Sequence, residues 1–225
     1  EVFIAATVAD LNPLYAANPS SATTPVASAN NSVAIGDEST ASGVNSFSFG
    51  QKSVASGIDS VAMGYQALAN SLQAVAMGSY SRGYGTAAVS LGKSYASGED
   101  SFAATIDNNS SSYGATGTSA VAIGKLAKAT GTTSLAIGGQ AALATGSGST
   151  AIGTYSRSTG FGSLALSTDL SGYYTDSTGT QSVAIGNACK ATGSGSFALG
   201  ERSKSTESGK YAYASGHFAA EGDAQ

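Results

Sequence analysis

Two stretches of the chain carry residues whose types and spacing could bind phosphate groups. Ala87–Ser94 ends in Gly-Lys-Ser, as a phosphate-binding P-loop does, but alanine stands where that loop needs its first glycine. Gly146–Ala151 has glycines spaced as in a dinucleotide-binding fingerprint, which must follow a strand and open a helix. Both stretches only join one predicted strand to the next, and we therefore interpret them as structural.

The chain offers one histidine, His217, and one cysteine, Cys189. A catalytic base works with partners, and no clustered carboxylates or nucleophile accompany His217 in the sequence. Cys189 holds a position that serine or alanine fills in most repeats, so we expect a small inward-facing side chain. One cysteine excludes an internal disulfide, and one histidine argues against a His/Cys metal site. The sequence therefore predicts no enzyme activity, no cofactor and no metal.

A short motif recurs along almost the whole chain and must position everything else. Ser32–Gly36 returns as Ser46–Gly50, Ser60–Gly64 and Ala74–Gly78, each time after 14 residues. This period leaves room for two short strands and two tight turns, which is typical of a solenoid. We count about 13 coils and predict an all-β, single-chain β-solenoid.

Two parts of the sequence depart from the period. Residues 1–31 contain all three prolines and are predicted to form an irregular cap or linker, whereas residues 32–225 form the repeat region. Two steps between motifs are 19 residues long instead of 14. We expect loop insertions near residues 107–115 and 168–177, which emerge from the same part of the coil.

Within each motif, large and small side chains alternate, as they do on the two faces of a strand. The central residue is alanine or serine, and the second strand of each coil also has a small face, so we expect both small faces to fill a narrow roll. The large residues are then left pointing outward. They are Val33, Ile35, Phe47, Phe49, Val61, Met63, Val75, Met77, Val121, Ile123, Leu135, Ile137, Val183, Ile185, Phe197 and Leu199.

An outward apolar column of this length predicts an interface. Burying a large side chain gains roughly 1.5 to 3 kcal/mol, so the whole column could contribute up to several tens of kcal/mol before entropy costs. Because the column is the same in each coil, the natural partner is a parallel copy of the same chain. The periodicity fits an assembly of two or of three copies.

The overall composition limits the other partners. The chain has 225 residues, of which only 11% are charged, and its net charge of −4 argues against nucleic acid as a partner. An apolar fraction of 41% argues for a folded chain rather than a disordered one. No apolar stretch reaches the roughly 18 residues of a membrane span.

A broken basic stripe is predicted on the polar side of the second strands, where half of the basic residues fall at one repeat position. Tyrosines accompany these residues, and Arg with Tyr is enriched at binding hot spots. The stripe has two interpretations: a solvated face that deters aggregation, or a surface that contacts ligands. The candidate residues are Tyr80, Arg82, Tyr84, Lys128, Tyr155, Arg157, Lys190 and Lys204, with Tyr113, Tyr173 and Tyr174 from the insertions.

Two other classes of β-solenoid fit the sequence less well. An enzyme on a β-helix would show a six-residue period with a catalytic histidine, or an acidic or metal cluster. An ice-binding solenoid would show a regular array of threonines. Thr130, Thr159 and Thr192 share one position, but Lys and Arg interrupt that face and other residues replace threonine in the early coils.

Over about residues 30–222, the chain resembles the YadA-like head of trimeric autotransporter adhesins. The resemblance lies in the Ser-Val-Ala-Ile-Gly motifs and in linkers such as Ala41-Ser42-Gly43 and Ala129-Thr130-Gly131. It implies a left-handed parallel β-roll that assembles as a parallel homotrimer and is displayed on the outer membrane surface of a Gram-negative bacterium.

The resemblance also implies a function and partners. The head would attach the bacterium to host cells or extracellular matrix through a repetitive surface, with no nucleic acid and no small-molecule substrate. Membrane contact would be made only through a C-terminal anchor that this sequence does not include. The alternative is a purely structural spacer in a surface protein.

Overall fold

The computed structural model describes residues 23–105, 112–168 and 172–215. All regular elements in these ranges are β-strands, and they form two sheets of 13 strands each. The motif sheet contains β2 (Val33–Ile35), β4 (Phe47–Phe49), β6 (Val61–Met63), β8 (Val75–Met77), β10 (Val89–Gly92), β12 (Phe102–Thr105), β14 (Val121–Ile123), β16 (Leu135–Ile137), β18 (Thr150–Ile152), β20 (Leu164–Ser167), β22 (Val183–Asn187), β24 (Phe197–Glu201) and β26 (Tyr211–Ser215).

The second sheet is built from the shorter strands between the motifs. It contains β1 (Val26–Ala27), β3 (Thr40–Ala41), β5 (Val54–Ala55), β7 (Leu68–Ala69), β9 (Arg82–Gly83), β11 (Tyr95–Ala96), β13 (Gly114–Ala115), β15 (Lys128–Ala129), β17 (Leu143–Ala144), β19 (Ser156–Ser158), β21 (Thr175–Ser177), β23 (Lys190–Ala191) and β25 (Lys204–Ser205). Successive strands of one sheet come from successive coils.

Strand pairing is parallel and keeps equivalent repeat positions together. Val33 pairs with Phe47, and Ile35 pairs with Phe49. The long steps leave this register unchanged, since Phe102 pairs with Val121 and Leu164 with Val183. A one-residue slip would turn every large side chain into the roll, which explains why the register is so strict. The predicted parallel β-solenoid of about 13 turns is confirmed.

The interior of the roll is filled by small residues from both sheets. Ala41, Ala62 and Ala122 are completely buried, as are most of their equivalents in other coils. Buried serines bond across the interior, for example Ser48 with Ser53 at 2.7 Å between hydroxyl oxygens. There is no room for larger side chains because the two sheets lie close together, and the predicted cross-section is thus the observed one.

Each coil is closed by two tight turns, and each turn holds a residue with left-handed backbone. In the second coil these are Asn45, with φ of 57°, and Lys52, with φ of 58°. The side chains of stacked turns bond to each other, as in the chain of hydrogen bonds from Asn31 to Asn45 (3.0 Å) and from Asn45 to Asp59 (2.8 Å). Asn and Asp tolerate this backbone well, whereas Lys52 and most residues at the equivalent positions are of types that adopt it less readily.

The boundaries of the repeat region differ from those expected. Strand β1 lies within the predicted cap of residues 1–31 and pairs with β3, so the second sheet begins at Val26. The predicted loops at 107–115 and 168–177 end in β13 and β21, which are ordinary strands of the second sheet. Each loop is therefore shorter than expected at its C-terminal side. Residues 1–22, 106–111, 169–171 and 216–225 lie outside the described residues.

Candidate functional site

The large residues of the motif strands point away from the roll. In β2, β4 and β8 the central residue is buried, whereas its two neighbours are partly or fully exposed. Val33 is 44% exposed, Phe49 47% and Met77 40%. All of the 16 residues predicted for the interface share this orientation, and none is buried within the single chain. We call this surface the bulky face.

The bulky face continues to the last described coil. The rings of Phe197 and Tyr211 are stacked, with centroids 5.0 Å apart and planes 12° apart. Tyr211 and Tyr213 are the most exposed large apolar residues of the motif sheet at this end, at 60% and 56%. The apolar column is thus continuous along the described motif strands.

A second apolar column, which the sequence analysis missed, lies on the turns that precede the motifs. Val44, Ile58 and Leu72 are all exposed. They stack through backbone hydrogen bonds of the adjacent residues, for example from Asp59 N to the Val44 carbonyl at 2.8 Å. Their spacing of 14 residues was the signal that could have found them, but this position is polar in most later coils.

The basic residues of the second sheet do not form one stripe. Arg82 lies between Leu68 and Tyr95 on the neighbouring strands. Lys128 lies between Gly114 and Leu143. Only Lys190 and Lys204 are direct neighbours. The predicted residues therefore fall into separate groups, because uncharged residues hold the same position between Arg82, Lys128 and Arg157, and Asp176 holds it between Arg157 and Lys190.

The first group is aromatic around Arg82. Tyr80 lies in a turn and packs edge-to-face on Tyr65 with ring centroids 5.2 Å apart, and its hydrogen bond with Tyr65 raises the pKa of the Tyr80 phenol. Tyr84 lies 5.4 Å from Tyr95, measured between centroids. Tyr95 is the strand neighbour of Arg82, and Tyr80 and Tyr84 lie two residues from Arg82 in the sequence. Tyr113 is half-buried just before β13.

The second group is centred on Arg157 and contains an acidic residue that the sequence analysis did not select. Arg157 Nε and one terminal guanidinium nitrogen donate to the two carboxylate oxygens of Asp176, each at 2.8 Å. The guanidinium carbon also lies 5.0 Å from the centroid of the Tyr174 ring. Tyr174 packs edge-to-face against Tyr155, with centroids 5.5 Å apart.

These contacts enclose a pocket of about 210 Å³ beside the second insertion. We call it the loop pocket. It is lined by Arg157, Gly172, Tyr173, Tyr174, Asp176, Ala188 and Lys190. Arg202, also missed by the sequence analysis, lies over the Tyr173 ring at 5.6 Å from its centroid. The structure thus brings together five of the predicted surface residues: Tyr155, Arg157, Tyr173, Tyr174 and Lys190.

The remaining chemical motifs belong to the scaffold. Ala87–Ser94 contains β10 and its flanking turns, and Gly146–Ala151 runs from a turn into β18, so neither opens a helix. Cys189 is completely buried, its Sγ lies 3.1 Å from the Gly200 carbonyl oxygen, and burial raises the pKa of its thiol. His217 lies outside the described residues.

The described ranges hold neither a metal site nor a membrane-spanning helix. Residues 23–105, 112–168 and 172–215 contain no group of three or more His, Cys, Asp or Glu side chains that could hold a metal ion. The same ranges contain no helix of the length and apolar character needed to cross a membrane.

Comparison with known proteins gives one family. The sequence model described as "YadA head domain repeat (2 copies)" matches residues 27–53, 55–81, 115–141, 139–156, 144–166 and 177–203, which together make up more than half of the chain. The matched segments contain both the motif strands and the second strands of the roll. The search of curated proteins found no match.

Proposed function

The chain belongs to the family of YadA head domain repeats, an adhesin-type family, and on that premise we propose that it is the adhesive head of a bacterial surface protein. In this proposal three parallel chains form a rod that is displayed outside the outer membrane and attaches the cell to host cells or extracellular matrix. The chain acts by binding and has no catalytic role.

The observation that carries the proposal is the bulky face. A single roll buries only alanine, serine and other small side chains, while its largest apolar residues stay outside in a continuous column. Such a column is unfavourable in water, and a fully buried large side chain gains about 1.5 to 3 kcal/mol. Because nearly every coil repeats a large outward pair in register, with a smaller residue at Ala104 and Thr150, parallel copies of the chain can cover the column along its length.

The second sheet supports the adhesive role. Its polar side faces away from the roll and carries the clusters around Arg82 and Arg157. Arginine with tyrosine is the combination most often found at the energetic centres of interfaces. One rod would carry three copies of each cluster. Because a repetitive ligand could bind several copies at once, avidity would compensate for weak individual contacts.

Attachment can be tested with the purified protein on immobilised matrix proteins and on host-cell monolayers. We expect binding that falls when Arg82 and Lys190 are both replaced by glutamate. A matched double variant, Lys52→Glu with Lys210→Glu, changes the net charge equally but alters turn and strand-end positions outside both clusters, and it should bind normally. An assembled rod that binds no surface in either assay would contradict adhesion and favour a structural spacer.

A further inference from the structure

We propose that the loop pocket binds an anionic saccharide, meaning a sugar ring that carries a carboxylate or a sulfate group. This inference rests on the proposed function, since it names a ligand class for the outer surface of the adhesive head. It is carried by the charge, the aromatic lining, the size and the location of the pocket.

The residues that line the pocket carry a net positive charge. Asp176 is its one carboxylate among the lining residues, and both of its oxygens accept hydrogen bonds from Arg157. The Asp176 side chain is only 10% exposed, whereas the Arg157 side chain is 41% exposed. Lys190 lies beside Asp176 on the next strand. Both oxygens of Asp176 are therefore taken up by Arg157, and the lining carries two cations, Arg157 and Lys190, against one carboxylate.

The aromatic lining is held in place by its neighbours. Tyr174 is fixed on one side by Tyr155 and on the other by the guanidinium of Arg157, at ring distances of 5.5 and 5.0 Å. Tyr173 is 56% exposed and lies close to the guanidinium of Arg202. Fixed rings bind with little loss of conformational entropy, and phenol groups can bond to hydroxyls. A sugar ring offers both an apolar C–H face for a tyrosine ring and hydroxyls for the polar groups.

The size of the pocket suits one small ring. A volume of about 210 Å³ lies below the roughly 300 to 1,000 Å³ of sites for drug-sized molecules. One sugar residue with its acidic group suits this volume. The rest of a longer saccharide would extend over the exposed surface of the second sheet.

The location of the pocket argues against strand addition by an acidic peptide. Extended peptides gain affinity by adding a strand to an open sheet edge. Strands β19, β21 and β23 lie inside a 13-stranded sheet and are hydrogen-bonded to strands on both sides. A peptide could contact only side chains here. A saccharide can bind through side chains alone and needs no free sheet edge.

The pocket is also separate from the bulky face, because its strands belong to the second sheet rather than to the motif sheet. Substitutions in the pocket therefore leave the residues of the bulky face unchanged.

The test measures equilibrium binding of the purified protein to four probes: a sialylated trisaccharide with a carboxylate, a heparin tetrasaccharide with sulfates, neutral lactose, and a short polyglutamate peptide. We expect one or both anionic sugars to bind and lactose to bind at least about tenfold more weakly. Tyr173→Ala and Lys190→Gln should each weaken that binding about tenfold, a common cost for one central contact. The preferred anionic sugar identifies the acidic group.

Lys128→Gln is the matched control, since Lys128 occupies the same strand position as Lys190 in a coil outside the pocket. It should leave binding unchanged. The proposal is overturned if neither anionic sugar binds, if Lys128→Gln weakens binding as much as Lys190→Gln, or if polyglutamate binds with the same dependence on Tyr173. If Tyr173→Ala still attaches to matrix, the proposed adhesive function remains valid. A failure of the saccharide proposal can therefore be distinguished from a failure of the adhesion proposal.

Discussion

Arg157 and Asp176 lie side by side on β19 and β21 and share two hydrogen bonds of 2.8 Å, although 19 residues separate them in the sequence. This pair ties the second insertion to the roll. Directly after the insertion, β21 returns to the register of the second sheet, and the Asp176 carboxylate meets the arginine of the preceding coil. The ion pair thus orders one wall of the loop pocket.

We expect Asp176→Asn to loosen this wall. The asparagine keeps the shape but loses the charge, and a partly exposed bidentate pair contributes about 1 kcal/mol. Hydrogen exchange of the β21 amides, measured by mass spectrometry, should become about five to ten times faster, which corresponds to this loss of free energy. Glu38→Gln, which breaks the exposed pair of Lys52 and Glu38 at 3.5 Å, is the control and should leave exchange in its own coil unchanged. Equal responses in both variants would show that the pair does not hold the loop.

Glycine at one turn is predicted to be essential for coil stacking. A Cβ built on Gly131 would lie 2.0 Å from the carbonyl oxygen of Gly146, and backbone atoms of a stacked coil have no free space in which to move. We expect Gly131→Ala to lower the free energy of unfolding by about 3 kcal/mol or more, measured by urea denaturation. Ala29, Ser71 and Glu207 replace glycine at this repeat position in three coils, so the prediction rests on the local distance.

Gly139 provides the matched control for Gly131. The nearest atom to its added Cβ would be Thr154 Oγ1 at 3.7 Å, which is an ordinary contact. Gly139→Ala should therefore change stability by less than about 1 kcal/mol. Similar losses from the two alanine variants would show that close stacking of the turns is not the cause.

Two serines at the start of equivalent motifs should respond differently to replacement by alanine. The buried Ser134 hydroxyl has no hydrogen-bond partner among the described residues. The Ser182 hydroxyl donates to the Gly179 carbonyl at 2.7 Å and bonds with Ser177 at 2.8 Å. We expect Ser134→Ala to be neutral or stabilising and Ser182→Ala to cost about 1 to 2 kcal/mol. Urea denaturation tests this, and the opposite order would contradict it.

The thiol of Cys189 should make stability fall at high pH. Burial raises the pKa of this thiol, so the folded state holds the proton more tightly than the unfolded state. Stability is then lost as the pH rises above about 8.5, the ordinary pKa of a free thiol. Cys189→Ser removes this contribution and introduces the residue that other coils carry at the same place, such as Ser203.

Denaturation of both proteins between pH 7 and pH 10 checks the thiol prediction. The stability of the original chain should fall more steeply than that of Cys189→Ser over this range. Parallel curves for the two proteins would contradict the prediction, as would rapid reaction of the folded protein with a thiol reagent at pH 8.

The sequence predicted the sheet register and the burial pattern because both follow from a strict period. Once Val33, Phe47 and Val61 recur every 14 residues, stacking equivalent positions is the only arrangement that keeps all of them on one face. The small residues at the central positions can fill only the interior of a narrow roll. Faces and core could therefore be predicted without any long-range information.

The loop pocket could be predicted only in part because it depends on how an insertion returns to the sheet. Asp176 was included in a predicted loop, whereas β21 already begins at Thr175, so its contact with Arg157 was not foreseen. Arg202 reaches Tyr173 from a turn of a later coil. Neither contact joins residues that are 14 positions apart, so the repeat pattern could not predict either of them.

The central claim is that the bulky face is an interface between parallel copies of the chain. The molar mass in solution, measured by light scattering or sedimentation equilibrium, tests it most directly. We expect three times the chain mass of 21.9 kDa, the same mass for Lys128→Asp, and loss of the assembly or aggregation for Ile123→Asp. A stable particle of one chain mass, or equal behaviour of the two aspartate variants, would contradict the claim.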